Sequence, residues 1–291
     1  MHKEITAKKL LSHATRPDPW FGIKHSMNIY RGCEHQCIYC DSRSECYGIE
    51  DFSNLYIKVN ALELLERELF SLRTKGTIGT GAMNDPYTKA EQSLNLTRGA
   101  LQIIARYRFP VHILTKSNLV LRDLDLLKIL SGKYAAVSFT ITTAEQKLAA
   151  QIEPGAPLPE ERFRAIKKLS EAGIYTGIYM MPILPFLEDN EENIKEIVNK
   201  AALSGAKYII PWFGMTLRDR QRGYYYQKLD QLFPGVKRKY INTYGNNYQC
   251  AVINAKKLSL LFTRLCREQA IATQLSIYQT KRPAQLPLFE Q

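Results

Sequence analysis

Leucines at positions 62, 65, 69 and 72 recur on one helical face, and Asn60 followed by Glu63 has the spacing of an N-cap with its reciprocal partner. A helix is expected there, ended by Gly76. The period then changes. Residues 77–83 read as a strand that delivers Asn84-Asp-Pro-Tyr87 to a turn, a helix over about 88–108 stops before Pro110, and VHILTK is a short buried strand. The same alternation repeats three more times, as RDLDLLKIL then YAAVSFTITT, LPEERFRAIKKLSEAG then IYTGIYMMPI, and NEENIKEIVNKAALSG then AKYIIPWFG, with Gly173 and Gly205 standing where helices end. With residues 23–30 as a first strand, six strands separated by helices imply parallel pairing with right-handed crossovers. An open doubly wound sheet and a partial (β/α)6 barrel both satisfy that α/β pattern.

One strand carries more than periodicity. Val137, Phe139 and Ile141 alternate with Ser138, Thr140 and Thr142, so one face is apolar and the other hydroxylated. A strand covered on both sides should be apolar on both. The polar face points to a lumen holding a polar ligand, or else to an edge strand with a wet side. Residues 1–20 are basic and then loop-like through Thr15-Arg-Pro-Asp-Pro19, an N-terminal extension outside a main domain over 21–214. Beyond Gly214 the rhythm ends. Residues 215–275 form a basic, Tyr-rich extension closed by an amphipathic helix with Leu258, Leu261, Phe262 and Leu265 on one face, and 276–291 is a tail without core periodicity.

At 291 residues and 45% apolar content the chain can bury one large core or two small ones. No apolar run reaches membrane-spanning length and the N-terminus lacks an h-region with a cleavage site, so a cytoplasmic protein that does not enter a membrane is expected. A net charge of +12 and a pI near 9.3 favour a polyanionic partner. Arg218, Arg220 and Arg222 next to Tyr224-Tyr-Tyr226, with Lys237, Arg238 and Lys239 further on, suit phosphates and unpaired bases of a nucleic acid. The competing reading is a solvated basic face over a tyrosine-rich packing seam.

The chemistry concentrates in the loop Gly32-Cys-Glu-His-Gln-Cys-Ile-Tyr-Cys40. Of six cysteines, three cluster here, and without an export signal metal ligation is a better reading than a disulfide set. Cys33, Cys37 and Cys40 at C-x3-C-x2-C spacing can wrap one corner of a four-iron cluster and leave one iron open to a small ligand. A zinc site completed by His35 or Cys46 competes with this. Cys250 and Cys266 have no such spacing, and Cys266 falls at a core position of the last helix.

This loop, with Tyr39 before its last cysteine, resembles the signature of the radical S-adenosylmethionine (SAM) enzymes. The wider run N-x-Y-x-G-C-x-H-x-C-x-Y-C-D-S-R, with GAMNDPY, LTKS and EPGAPLPEERFRAI further on, resembles the branch related to spore photoproduct lyase over roughly residues 20–215. The resemblance implies the partial barrel, a 4Fe-4S cluster on the three cysteines, bound SAM and an external electron donor. It implies that Asn84 and Asp85 accept hydrogen bonds from the SAM ammonium, though a plain turn capping the next helix also explains them. Lys116 would meet the SAM carboxylate with Ser138 as its neighbour, unless it is a lone surface lysine. Glu153 and either Arg162 or Arg164 would lie near the cofactor, and Met181-Pro-Ile-Leu-Pro185 would wall the adenine.

The implied reaction is reductive cleavage of SAM to a 5′-deoxyadenosyl radical that takes hydrogen from a nucleic acid, in a setting related to DNA repair. RNA or a peptide is the alternative substrate, and a non-catalytic iron-sulfur or zinc protein binding nucleic acid is the alternative class. One departure matters. The lyases carry a hydrogen-returning cysteine in the second-strand segment, and Gly81-Ala-Met-Asn-Asp85 has none. In the tail, Gln285, Leu286, Leu288 and Phe289 resemble the short peptide that docks bacterial repair proteins on the sliding clamp.

Overall fold

A computed structural model describes residues 2–279; the clamp-like residues Gln285, Leu286, Leu288 and Phe289 lie outside them. The alternating pattern builds one sheet. Its strands are β1 (Leu11–His13), β2 (Ile23–Met27), β3 (Thr77–Thr80), β4 (Val111–Thr115), β5 (Ala135–Thr140), β6 (Tyr175–Met180) and β7 (Ile209–Pro211). They lie in the order β7-β6-β5-β4-β3-β2-β1, parallel from β2 to β7, with β1 antiparallel on β2. The sheet stays open between its two edges, as a partial barrel does. Register aligns the strand ends, with Thr80 opposite Ile113, Thr115 opposite Phe139, Thr140 opposite Tyr179 and Pro211 opposite Met180. The loops that follow these ends therefore share one rim.

The crossovers are α1 (Ala61–Ser71), α2 (Leu96–Arg106), α3 (Leu124–Ser131), α4 (Gln146–Ile152), α5 (Pro159–Glu171) and α6 (Glu191–Leu203). In α1 the buried positions are Ala61, Leu64, Leu65 and Leu69, and each buried leucine contributes on the order of 2 kcal/mol. Several expectations shift at the edges. Asn60 does not cap α1: its side-chain amide accepts from Ala7 N at 3.0 Å and donates to Ala7 O at 2.9 Å. The helix expected over 88–108 is broken at Asn95, whose φ is 54°. Both Glu91 carboxylate oxygens instead take the Thr97 N–H at the start of α2, at 3.0 Å.

The first strand ends at Met27 rather than Tyr30. Tyr30–Arg31 turns away to pair with Leu55–Lys58, and His2–Ile5 adds to that small sheet in parallel. The N-terminal residues, expected as an outer extension, thus supply strands to both sheets. Each strand edge they cover would otherwise leave backbone donors and acceptors unpaired.

The residues beyond β7 are not an appendage either. Gly214–Thr216 pairs antiparallel with Gln249–Ala251, bracketing α7 (Asp219–Leu232) and α8 (Val236–Tyr244), and α9 (Ala255–Glu268) packs on α6. Tyr225, Tyr240 and Met215 form a buried cluster with Cys37, Ile38 and Tyr39 of the cysteine loop. Among the described residues no helix is long and apolar enough to cross a membrane.

Candidate active site

The rim encloses a cavity of about 230 Å³ lined by residues from every strand end from β3 to β7. Cys33, Cys37 and Cys40 form one part of its wall, Gly81 to Asp85 follow β3, Lys116 follows β4, Thr140 ends β5, Met181 and Pro182 follow β6, and Trp212 follows β7.

The cysteine loop is held from three directions. Gln36, at a φ of 51°, turns the chain and donates its amide to Cys33 O at 2.8 Å and Phe52 O at 2.9 Å. Ile38 N donates to Ile152 O at 2.9 Å, and Gln221 from α7 donates to Tyr39 O at 2.9 Å. Gly32 is required at its position: its φ is +79° and a Cβ would stand 2.4 Å from Asn54 O. The thiols are free of disulfides. Burial first, then neighbouring negative charge, pushes the Cys33 thiol up, while Cys37 is raised to about 12 mainly by burial. Buried thiols at such values give up their protons to a metal rather than to water.

Of the two candidate extra zinc ligands, His35 lines the cavity and Cys46 does not. His35 Nε2 lies 2.9 Å from Asp85 Oδ2, off the line of a straight hydrogen bond, and its Nδ1 is 3.2 Å from Gly155 O. Cys46 is exposed, with Ser44 Oγ at 3.3 Å and Arg218 Nη1 at 3.5 Å from its sulfur. Among the described residues no three His, Cys, Asp or Glu side chains close round a single ion. Three thiols on one wall suit a cluster that takes one thiolate per iron.

Asn84 and Asp85, expected to act alike, separate. Asp85 is bonded on both oxygens. Its Oδ1 accepts from Thr115 Oγ1 at 2.7 Å and Tyr87 N at 2.9 Å, while its Oδ2 accepts from Lys116 N at 2.7 Å and faces His35. Burial opposes this carboxylate's charge, but His35 and these donors outweigh it and hold the pKa down at about 2. Asp85 therefore ties the β3 and β4 exits together, with three hydrogen bonds filling most of its acceptor capacity and His35 standing over the rest. Asn84 is the reverse case. It is buried, lines the cavity, and its Oδ1 has no hydrogen-bond partner. An orphaned buried acceptor beside three thiols fits an ammonium ligand.

Lys116 is not a lone surface lysine. Its Nζ lies 3.8 Å from Glu153 Oε1 and 5.7 Å from the centre of the Tyr39 ring. Burial works against its charge, yet Cys37 and Glu153 more than compensate and its pKa is raised. Glu153 itself does not line the cavity. It stands behind Lys116, accepts from the Tyr39 phenol and pairs with Arg162 at 2.5 Å. The choice between arginines is thereby made: Arg162 is buried, and Arg164 is exposed with its Nε 3.5 Å from Glu160 O.

Ser138 is not the neighbour of Lys116. It pairs in register with Leu114, two residues short of Lys116, and its hydroxyl bonds His112 Nε2 at 2.7 Å and Tyr208 at 2.5 Å. The hydroxylated face of β5 is mostly a satisfied buried layer, and of its two strand residues Thr140 reaches the cavity.

A family model of the radical SAM superfamily matches residues 27–201 of the chain. The chain belongs to the radical SAM superfamily. This radical SAM enzyme is 36% identical over 196 residues to an uncharacterized protein of Methanocaldococcus jannaschii, covering 66% of this chain and 71% of that one. It is 30% identical over 231 residues to an uncharacterized protein of Mycobacterium tuberculosis H37Rv, covering 76% and 67%. Spore photoproduct lyase, solved with a dinucleoside spore photoproduct, shares its fold with a TM-score of 0.68 at 15% identity, over 92% of this chain and 79% of that one.

The radical SAM enzyme's cofactors are a 4Fe-4S cluster and SAM. When bound they supply a strongly reducing electron and a hydrogen-abstracting radical. The residues that would hold them are Cys33, Cys37 and Cys40 for the cluster and, for SAM, Asn84 Oδ1 as an acceptor and Lys116 as a cation. Asn84→Ala is expected to weaken SAM binding about tenfold, the worth of a hydrogen bond to a charged group. Calorimetry on cluster-loaded protein, with iron content as control, checks it; unchanged affinity would remove Asn84 from the SAM site.

Sequence reasoning misses His35 as the partner of Asp85, and Tyr47 and Trp212 as cavity residues. The place of His35 in the cysteine run suggests a zinc ligand and nothing more. Trp212 follows a strand exit, and that position is its one available signal.

Proposed function

We propose that this radical SAM enzyme takes its hydrogen atom from a nucleic acid, in a setting related to DNA repair. The observation that carries the reading is the aromatic lining of the cavity, to which half-buried Trp212 and Tyr47 contribute beside the cofactor residues. Such side chains stack unpaired bases at roughly 1–3 kcal/mol per base whatever the base. The net charge of +12 favours a phosphate backbone, and the lyase that shares the fold was solved with a dinucleoside. The proposal stops short of photoproduct reversal, because Gly81 to Asp85 line the cavity without a thiol.

The basic surface is smaller than the arginine and lysine spacing suggests. Arg218 pairs with Asp41 at 2.9 Å and donates to Tyr248 Oη at 2.8 Å, and Arg222 donates to Gly245 O, Leu217 O, Asn246 O and Asn247 O. Both hold the fold together, and Tyr225 and Tyr240 are buried in the seam beneath. Lys237 reaches Asp230 at 2.6 Å. Arg220, in a loose exposed pair with Glu45 at 3.7 Å, and Arg238 and Lys239 remain exposed and are proposed as the phosphate ligands.

Replacing these three by Ser is expected to lower duplex affinity and to flatten the dependence of log K on log salt by about 0.9 for each phosphate no longer neutralised. An unchanged slope would move the phosphate-binding surface elsewhere. For the substrate itself, DNA, RNA and peptide deuterated in turn are incubated with the reduced enzyme and SAM. Deuterium in 5′-deoxyadenosine from DNA supports the reading, from RNA alone moves it to RNA, and from neither nucleic acid ends it.

A further inference from the structure

Arg43 follows the last cluster cysteine by three positions and is half-buried. Its guanidinium carbon stands 3.7 Å from the centre of the Tyr224 ring and 4.2 Å from that of Phe52, so the cation is held between two aromatic faces. Nη2 donates to Gln36 Oε1 at 2.8 Å. Gln36 in turn donates its amide to Cys33 O at 2.8 Å. The position of the charge is therefore tied to the cysteine loop through one side chain.

What the arginine lacks is a counter-charge of its own. Nearby Arg218 and Arg220 pair with Asp41 and Glu45. Among the described residues no carboxylate pairs with Arg43, and its Nε is buried without a partner. Burial lowers its pKa, and the groups that work to keep it charged are Tyr224 and then Cys40, Cys37 and Cys33. A cation withdrawn from water needs an opposite charge. A 4Fe-4S cluster on three thiolates carries net negative charge, and one more when reduced. The charge that Arg43 lacks is the charge that the loop holds once it is loaded.

We propose that Arg43 sets the reduction potential of the cluster, with Phe52 and Tyr224 as the clamp that keeps its cation in place and sheltered from water. The reduced cluster, being the more negative, gains more from the fixed cation than the oxidised one, so the potential rises. Phe52 comes from the loop after the cysteines and Tyr224 from α7, which makes the C-terminal helices part of the redox site. The inference rests on family membership and the cysteine loop, and is independent of the substrate proposed above.

Potentiometric titration of the reconstituted protein, followed by the electron paramagnetic resonance of the reduced cluster, tests it, with iron and sulfide content and circular dichroism as controls. For Arg43→Gln the ratio of reduced to oxidised cluster at a fixed potential is expected to fall about tenfold, a shift of about 59 mV downward for a one-electron couple. Arg43→Lys keeps the charge and is expected to stay nearer the original value. Equal potentials in the Gln and Lys variants, or a Gln variant fully loaded and unshifted, overturn the proposal. Should Arg43→Gln fail to load, Tyr224→Leu keeps the cation and opens one of its faces to water. A smaller downward shift is expected there, and an unchanged potential overturns the proposal equally.

Discussion

Cys37→Ala is expected to reduce 5′-deoxyadenosine formation by the reconstituted enzyme to background. Among the three candidate ligands Cys37 is the buried one, in a cluster with Tyr225 and Met215. Its thiol, raised to about 12, is a poor anion without a metal. Ligation by iron supplies the charge that stabilises the thiolate. Alanine removes the ligand from the middle of the loop while leaving the backbone bond from Ile38 N to Ile152 O intact, so circular dichroism should stay unchanged. Iron and sulfide content separate loss of the cluster from loss of the fold. Cleavage of SAM at the original rate by the variant would contradict the assignment.

The second large effect is on stability. Glu153→Gln is expected to cost about 3–5 kcal/mol, the range for breaking a buried pair by removing one partner. Arg162 would be left without its carboxylate, and Arg162 and Glu153 side chains are each 1% exposed, so solvent does not screen the loss. Lys116 loses the charge it faces at the same stroke, while the amide oxygen still offers Tyr39 an acceptor.

The pH dependence has a fixed sign. Burial opposes the Glu153 charge, but Arg162 and Lys116 overcome it and the carboxyl stays below its ordinary value when folded. A depressed folded pKa contributes stability that is present above the unfolded value and is lost as pH falls through the folded one. Urea denaturation of the original chain should therefore show stability falling on acidification below the usual carboxylate range, with a flatter profile for Glu153→Gln. A variant within about 1 kcal/mol of the original, on the scale of an exposed pair, would mean that the buried charges rearrange.

The repeating βα units were legible because their period changes sharply and glycines mark helix ends; six parallel strands follow from that alone. The cysteine loop was legible because its chemistry is local, three ligands within eight residues of chain. Asp85 and Asn84 show where local reading stops. Both are short polar residues in one turn, and only the neighbours brought by β4 and the cysteine loop decide that one is bonded on both oxygens and the other has an open amide oxygen. Ser138 was misplaced for a related reason: a polar face on a strand says that partners exist, not whether they are a ligand or His112 and Tyr208. The arginines of α7 fail in the same way, since Arg222 spends its donors on carbonyls some 23 to 25 residues further along the chain. Pairings of that span leave no periodicity to read.

The hold of α7 on the cysteine loop also has a consequence in time. Gln221 meets the Tyr39 carbonyl across 182 positions, and Asp219 accepts from Ser44 Oγ at 3.0 Å and Glu45 N at 2.9 Å. A ribosome adding about 5–20 residues per second completes the loop roughly 10–40 s before it makes the glutamine that fixes it. During that interval three thiols stand in a nascent chain with no lid. The order of synthesis thus leaves the cysteine loop without its hold from α7 until the last third of the polypeptide is made.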